Sequence, residues 1–226
     1  MTGSVVSPAL RQRVRDLATP IARGLGRLGL TPNALTVIGF LGTCAAAVAA
    51  ASEAWVVAGV LVLVFGIFDL FDGTLARATG RTTKLGAFLD STFDRAGEAI
   101  VYVGIAIGCI AGGFDAGAVL AASAMAAAFM VSYTRAKAES LGFTPGTGMA
   151  NVGLAPREVR IVILVVGLLA AGIWGAHQIW CVLGPCPQPT GGGVLVLVGA
   201  LGLITILATI TTFQRILHVR AQSREG

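Results

Sequence analysis

The chain has 226 residues, 55% of them hydrophobic and only 12% charged, with 31 glycines and a net charge of +5. Soluble domains carry roughly twice that share of charge, so a soluble globular enzyme is excluded and one compact bundle of membrane spans is expected. The basic residues sit at the ends of apolar runs, which excludes a nucleic-acid groove and suits anionic lipid or phosphate instead.

From Pro8 to Leu28 the apolar residues Leu10, Val14, Leu17, Ile21, Leu25 and Leu28 recur at steps of three and four, with arginines between them. This predicts an amphipathic helix lying on the membrane surface. Thr19-Pro20 is a cap followed by a first helical residue and can divide the segment in two. Thr31-Pro32 repeats that signal and opens a first span over 33–51. A second span from 55 carries Asp69 and Asp72 in its final turns, and a polar connection runs from Ala78 to Lys84. The third, over 85–110, holds Asp90, Asp94, Arg95 and Glu98 in its first turns.

A Gly112-Gly113 turn leads to a fourth span, 116–140, rich in alanine, a composition that lets helices approach closely. Residues 141–156 form a Gly/Pro/Thr loop long enough to line a site. A fifth span covers 157–176, and a sixth covers 194–217. The prediction is an all-α integral membrane protein of six transmembrane helices plus an N-terminal amphipathic surface helix. It is one domain over 1–226, with 1–30 juxtamembrane and 31–219 the bundle.

Cys44 and Cys109 fall within apolar runs and read as small buried hydrophobes. Cys181 and Cys186 lie in the loop before the sixth span, where a disulfide and free thiols both remain open. A zinc site there would have only His177 as a further nearby ligand. No signal-peptide-like apolar run opens the chain, so its N-terminus is expected in the cytoplasm. All 16 lysines and arginines then fall on the cytoplasmic side. The expected location is the cell membrane, with the aspartates at its cytosolic rim.

Carboxylates at the edge of apolar spans cost several kcal/mol and mark function by default. Asp69 and Asp72 are three apart on one helix, Asp90 and Asp94 four apart on the next, so each pair projects from one face. Four such charges repel one another unless a cation lies among them, and oxygen-only ligation suits Mg²⁺, Mn²⁺ or Ca²⁺. Two metal ions can clamp both the attacking and the leaving oxygen of a phosphoryl displacement. Gly73, Ala76 and Gly86 leave helix surface bare for a ligand or a neighbouring helix. Arg77 is placed as a phosphate partner or as a snorkelling interface residue.

Asp69-x-x-Asp72-Gly73-x-x-Ala76-Arg77, eight residues, then Gly86-x-x-x-Asp90-x-x-x-Asp94 resembles the full signature of the CDP-alcohol phosphotransferase family. The resemblance implies a Mg²⁺- or Mn²⁺-dependent membrane enzyme, usually a homodimer, that transfers a phosphatidyl group from a CDP-linked lipid such as CDP-diacylglycerol to an alcohol. It implies that Asp69, Asp72 and Asp90 ligate metal, with Asp94 completing the site and acting as general base. Asp69, Gly73, Ala76, Arg77 and Thr83 would then contact the cytidine diphosphate.

Arg135 and Lys137 end the fourth span, Arg157 and Arg160 begin the fifth, and Arg215 ends the sixth, all at the depth of the aspartates. Together they suit an acceptor that is itself a phosphate ester and repel choline or ethanolamine. Ser132 to Glu139, with Arg157, Arg160 and the Thr19–Leu25 start, looks like the phosphatidylinositol phosphate synthases of actinobacteria, which implies inositol 1-phosphate as acceptor. Phosphatidylglycerophosphate and archaetidylinositol phosphate synthases share much of the pattern. A cation transporter, the alternative outside enzymes, explains buried carboxylates but not their clustering beside Arg77.

Overall fold

The computed structural model describes residues 19–143, 152–174 and 192–225, and every regular element among them is a helix. A first helix, α1, is described over 19–27. It is followed by α2 (Pro32–Ala51), α3 (Trp55–Ala78), α4 (Lys84–Ala111), α5 (Asp115–Ser140), α6 (Arg157–Trp174) and α7 (Gly192–Glu225). Residues 8–18 of the expected surface helix, and the Cys181–Cys186 loop with His177, lie outside the described residues.

Two threonine caps set where the site-bearing helices start. Thr31 Oγ1 accepts from the Ala34 N–H at 3.2 Å ahead of α2, and Thr83 Oγ1 accepts from the Gly86 N–H at 2.9 Å ahead of α4. Each satisfies a donor that helix geometry leaves unpaired. Gly80, with φ of +65°, turns the chain after α3. The sixth helix of the bundle runs to Glu225 rather than ending at 217. No glycine or proline interrupts His218 to Glu225, so the helix continues after its apolar run has ended.

The helices form a ring in which α2 packs on α3 and α4, α3 on α6, α6 on α7, α7 on α5, and α5 on α4. The consecutive pair α3 and α4 is not among the closely packed pairs, because α2 lies against both. Gly104 and Gly108 of α4 allow this closeness. A Cβ on either would fall 2.2 Å from the backbone carbonyl oxygen of Ala47 or Ala50 in α2. The core joins Trp55, Val62, Tyr102, Ile105, Ala124, Leu168 and Leu201 from five helices. Val48, Val103, Val119, Val166 and Ile206 face outward, as lipid contact requires. On α1, buried Ala22 packs with Leu35 and Leu75, tying this helix to the same end of α2 and α3 as the aspartates.

Among the described residues four helices, α2, α3, α5 and α7, are long and apolar enough to cross a membrane. In α4 and α6 every stretch of spanning length includes charges, at least Asp94, Arg95 and Glu98 in one and Arg157, Glu158 and Arg160 in the other. These are residues of the site itself.

Candidate active site

Asp69 and Asp72 occupy the last turns of α3, and Asp90 and Asp94 the first turns of α4. One carboxylate oxygen from each of Asp69, Asp72 and Asp90 lies within 4.8 Å of the other two. Asp72, 4% exposed, is the most sheltered; its Oδ2 accepts a 2.6 Å hydrogen bond from Thr36 Oγ1 on α2. Like charges this close demand a cation, and an all-oxygen set around a partly buried point fits a hard divalent ion. The donor chemistry therefore fits the implied metal.

Asp94 sits beside this trio. Its Oδ2 lies 2.8 Å from Arg157 Nη1 and 3.4 Å from Arg95 Nη1. The same Arg157 nitrogen donates to Asp69 Oδ2 at 2.7 Å, so one guanidinium partly neutralises two carboxylates on different helices. Below them a narrow cavity of about 50 Å³ runs inward past Phe40 and Phe93, whose rings stack with centroids 4.9 Å apart.

A second cavity, about 180 Å³, opens between the starts of α2 and α4 and the end of α3. Asp72, Gly73, Ala76, Arg77, Thr83, Gly86 and Asp90 all line it, whereas Asp69 lies on the narrow cavity. A Cβ on Gly86 would approach Thr83 Oγ1 to 3.0 Å and Asn33 Oδ1 to 3.3 Å, so its glycine keeps that wall open. Asn33, Thr36, Arg81 and Thr82 also line this space and were not singled out from the sequence. Asn33 carried a weak signal as the residue after the Thr31-Pro32 cap; Thr36 carried none.

A third cavity, about 200 Å³, is lined by Asp94, Arg95, Ser132, Arg135, Arg157, Glu158, Arg160 and Arg215. Two of these arginines also hold the chain in place. Arg160 meets Glu98 through Nε and Nη2 at 2.9 Å each and donates from Nη1 to the Ala155 carbonyl at 3.1 Å. Arg215 donates from Nε to the Val152 carbonyl at 3.0 Å and from Nη1 to that of Val131. A guanidinium has five N–H donors, so each can also serve an anion in the cavity. Arg135 pairs with Glu139 at 2.9 Å on the exposed face of α5. Lys137 lines a neighbouring groove with Tyr133, Phe143 and Ile216, and Arg215 lines both that groove and the arginine cavity. Residues two apart on a helix face different ways, so Arg135 and Lys137 line different spaces, with Arg215 between them.

The family model described as CDP-alcohol phosphatidyltransferase matches residues 29–219 of the chain. The chain belongs to that family. It is therefore a transferase of phospholipid biosynthesis and a multi-pass membrane protein, and the ion-transport alternative falls away. Over 217 residues it is 38% identical to the archaetidylinositol phosphate synthase of Pyrococcus horikoshii, covering 96% of this chain and 98% of that one. It is 36% identical over 212 residues to the phosphatidylinositol phosphate synthase of Streptomyces avermitilis, covering 92% of this chain and 80% of that one. The crystal structure of the Mycobacterium tuberculosis phosphatidylinositol phosphate synthase with CDP-DAG bound is similar, with a TM-score of 0.72 at 28% identity over 90% of this chain and 94% of that one. The same mycobacterial enzyme in complex with manganese and citrate gives 0.70 at 27% identity, over 90% of this chain and 88% of that one. The signature aspartates thus belong to a family member as the resemblance implied.

Proposed function

We propose that this chain transfers the phosphatidyl group of CDP-diacylglycerol to a hydroxyl of inositol 1-phosphate, releasing CMP. The observation that carries the reading is the position of the carboxylates between two unlike cavities. Asp72 and Asp90 line the one edged by Gly73, Ala76 and Arg77, and Asp94 lines the arginine-rich one. Relatives named phosphatidylinositol phosphate synthase and archaetidylinositol phosphate synthase support an inositol phosphate acceptor.

In this reading Gly73, Ala76, Arg77 and Thr83, joined by Asn33 and Arg81, hold the cytidine diphosphate. Arg135, Arg157, Arg160 and Arg215 hold the acceptor's phosphate, with Lys137 at the outer approach. Asp94 takes the proton of the acceptor hydroxyl, whose oxygen bonds to the phosphatidyl phosphorus as the bond from that phosphorus to CMP breaks. Two divalent ions, Mg²⁺ or Mn²⁺, held by Asp69, Asp72 and Asp90 with Asp94 completing the set, would neutralise the diphosphate and the charge building on CMP.

The reading extends to the membrane. α2 to α7 are the six spans, the N-terminal segment through α1 lies on the surface, and 1–226 forms one domain. The basic span ends support a cytoplasmic surface and site. A plasma-membrane location and a homodimer belong to the reading through the family resemblance. The test is CMP release by the purified protein with Mg²⁺, CDP-diacylglycerol and a panel of acceptors. Turnover with inositol 1-phosphate and not with glycerol 3-phosphate or free inositol is expected; turnover with glycerol 3-phosphate alone would overturn the acceptor and leave the family standing. The 38% identity to an archaetidylinositol phosphate synthase favours a second donor, and CDP-archaeol in the same assay decides between the lipids.

A further inference from the structure

The guanidinium of Arg157 stands between the two halves of the site. Its Nη1 is 2.7 Å from Asp69 Oδ2 and 2.8 Å from Asp94 Oδ2, so a single nitrogen bridges a member of the carboxylate trio and the carboxylate facing the arginine cavity. Its Nε is buried and has no hydrogen-bond partner among the described residues. The side chain lines both the narrow cavity under the carboxylates and the arginine cavity.

The backbone beneath it is pinned. The Ala155 N–H donates to Thr211 Oγ1 at 2.9 Å, and the Ala155 carbonyl accepts from Arg160 at 3.1 Å. Any adjustment at Arg157 is left to its long side chain.

From this geometry we infer that Arg157 competes with the divalent ion for Asp69 and so couples metal binding to acceptor binding. The inference rests on the proposed role of Asp69 as a metal ligand. An oxygen engaged by a guanidinium at 2.7 Å offers less to a metal, and two cations at one carboxylate repel. An ion seated at Asp69 drives the guanidinium toward the arginine cavity, where a phosphate ester can take it bidentately and satisfy Nε. A phosphate bound there draws Arg157 off Asp69 and exposes the oxygen to metal. Linkage then requires each ligand to tighten the other by the same factor.

The experiment measures Mn²⁺ binding to the full-length protein in detergent by paramagnetic resonance of the free ion, with and without inositol 1-phosphate, corrected for Mn²⁺ bound by the ester in solution. In the wild type inositol 1-phosphate tightens Mn²⁺ binding by roughly 5- to 150-fold. Arg157→Gln binds Mn²⁺ more tightly than wild type without the acceptor and shows no coupling. Arg157→Lys, which keeps the charge without the fork, falls between the two. An Arg157→Gln protein with unchanged Mn²⁺ affinity, or with full coupling, overturns the inference while leaving the metal assignment intact. A wild type that binds no Mn²⁺ overturns the metal assignment and the inference with it. Should Arg157→Gln not fold, wild-type coupling in Arg157→Lys overturns the inference and weakened coupling supports it.

Discussion

All four carboxylates of the site come from two consecutive helices, within 69–94, whereas the arginines of the opposite cavity come from α4, α5, α6 and α7 and span 95–215 in the sequence. The carboxylate side is held together by a short connection and two threonine caps. The arginine side depends on long-range bonds: Glu98 to Arg160, Arg215 to Val152 and Val131, and Thr211 to Ala155. One half is a local motif and the other is an assembly. Chemistry built on the first should tolerate little change in residue type, and binding built on the second should fail when the packing between helices fails.

The largest effect expected is at the carboxylate where the halves meet. Asp94→Asn should lower CMP release by roughly 10²- to 10⁴-fold, the usual contribution of a positioned general base, while CDP-diacylglycerol still binds. Single-turnover CMP release together with nucleotide titration reads both, and unchanged release would remove Asp94 from the chemistry. Chelation of divalent ions should abolish turnover in the same assay.

The next effect should fall on stability rather than chemistry. Glu98→Gln leaves Arg160, 1% exposed, without its counter-charge, and breaking a buried pair costs about 3–5 kcal/mol. The double change Glu98→Gln with Arg160→Met should melt above the single Glu98→Gln variant, because no orphaned charge remains. A single variant that melts with the wild type would show the pair to be dispensable.

Smaller changes sort the two sides by substrate. Arg135→Gln should raise the acceptor KM by about tenfold and leave the donor KM unchanged, since a charge-assisted hydrogen bond contributes about 1.5–3 kcal/mol. Gly86→Ala should do the reverse by a few-fold, because its methyl group presses on Thr83 and Asn33 in the other cavity. Steady-state kinetics varying each substrate in turn separates them. If Arg135→Gln moved the donor KM, the division into two sides would collapse.

Much of the carboxylate side is legible in the sequence. Asp69 and Asp72, and Asp90 and Asp94, stand at helical spacings on either side of a short connection. Gly73, Ala76 and Arg77 lie within the same turns as Asp72, and Thr83 comes from the family resemblance. Thr36 is not legible and Asn33 only weakly so, since they reach the site from another helix and polar residues near span ends have many uses. On the arginine side, depth and the family resemblance group Lys137 with Arg135; these lie two apart on one helix and line different spaces, both of which Arg215 reaches. The same two signals also name Arg160 and Arg215 without showing that both brace the segment before α6.

The chain's composition and the spacing of its charges are enough to determine a membrane bundle, its basic face and the four-carboxylate signature, because hydrophobic periodicity and helical repeat act over a few residues. Only the tertiary structure decided which carboxylates converge, that Arg157 bridges Asp69 and Asp94, and that Glu98 claims Arg160. The ion pairs join residues far apart in sequence, and the carboxylates converge because α2 packs against both α3 and α4.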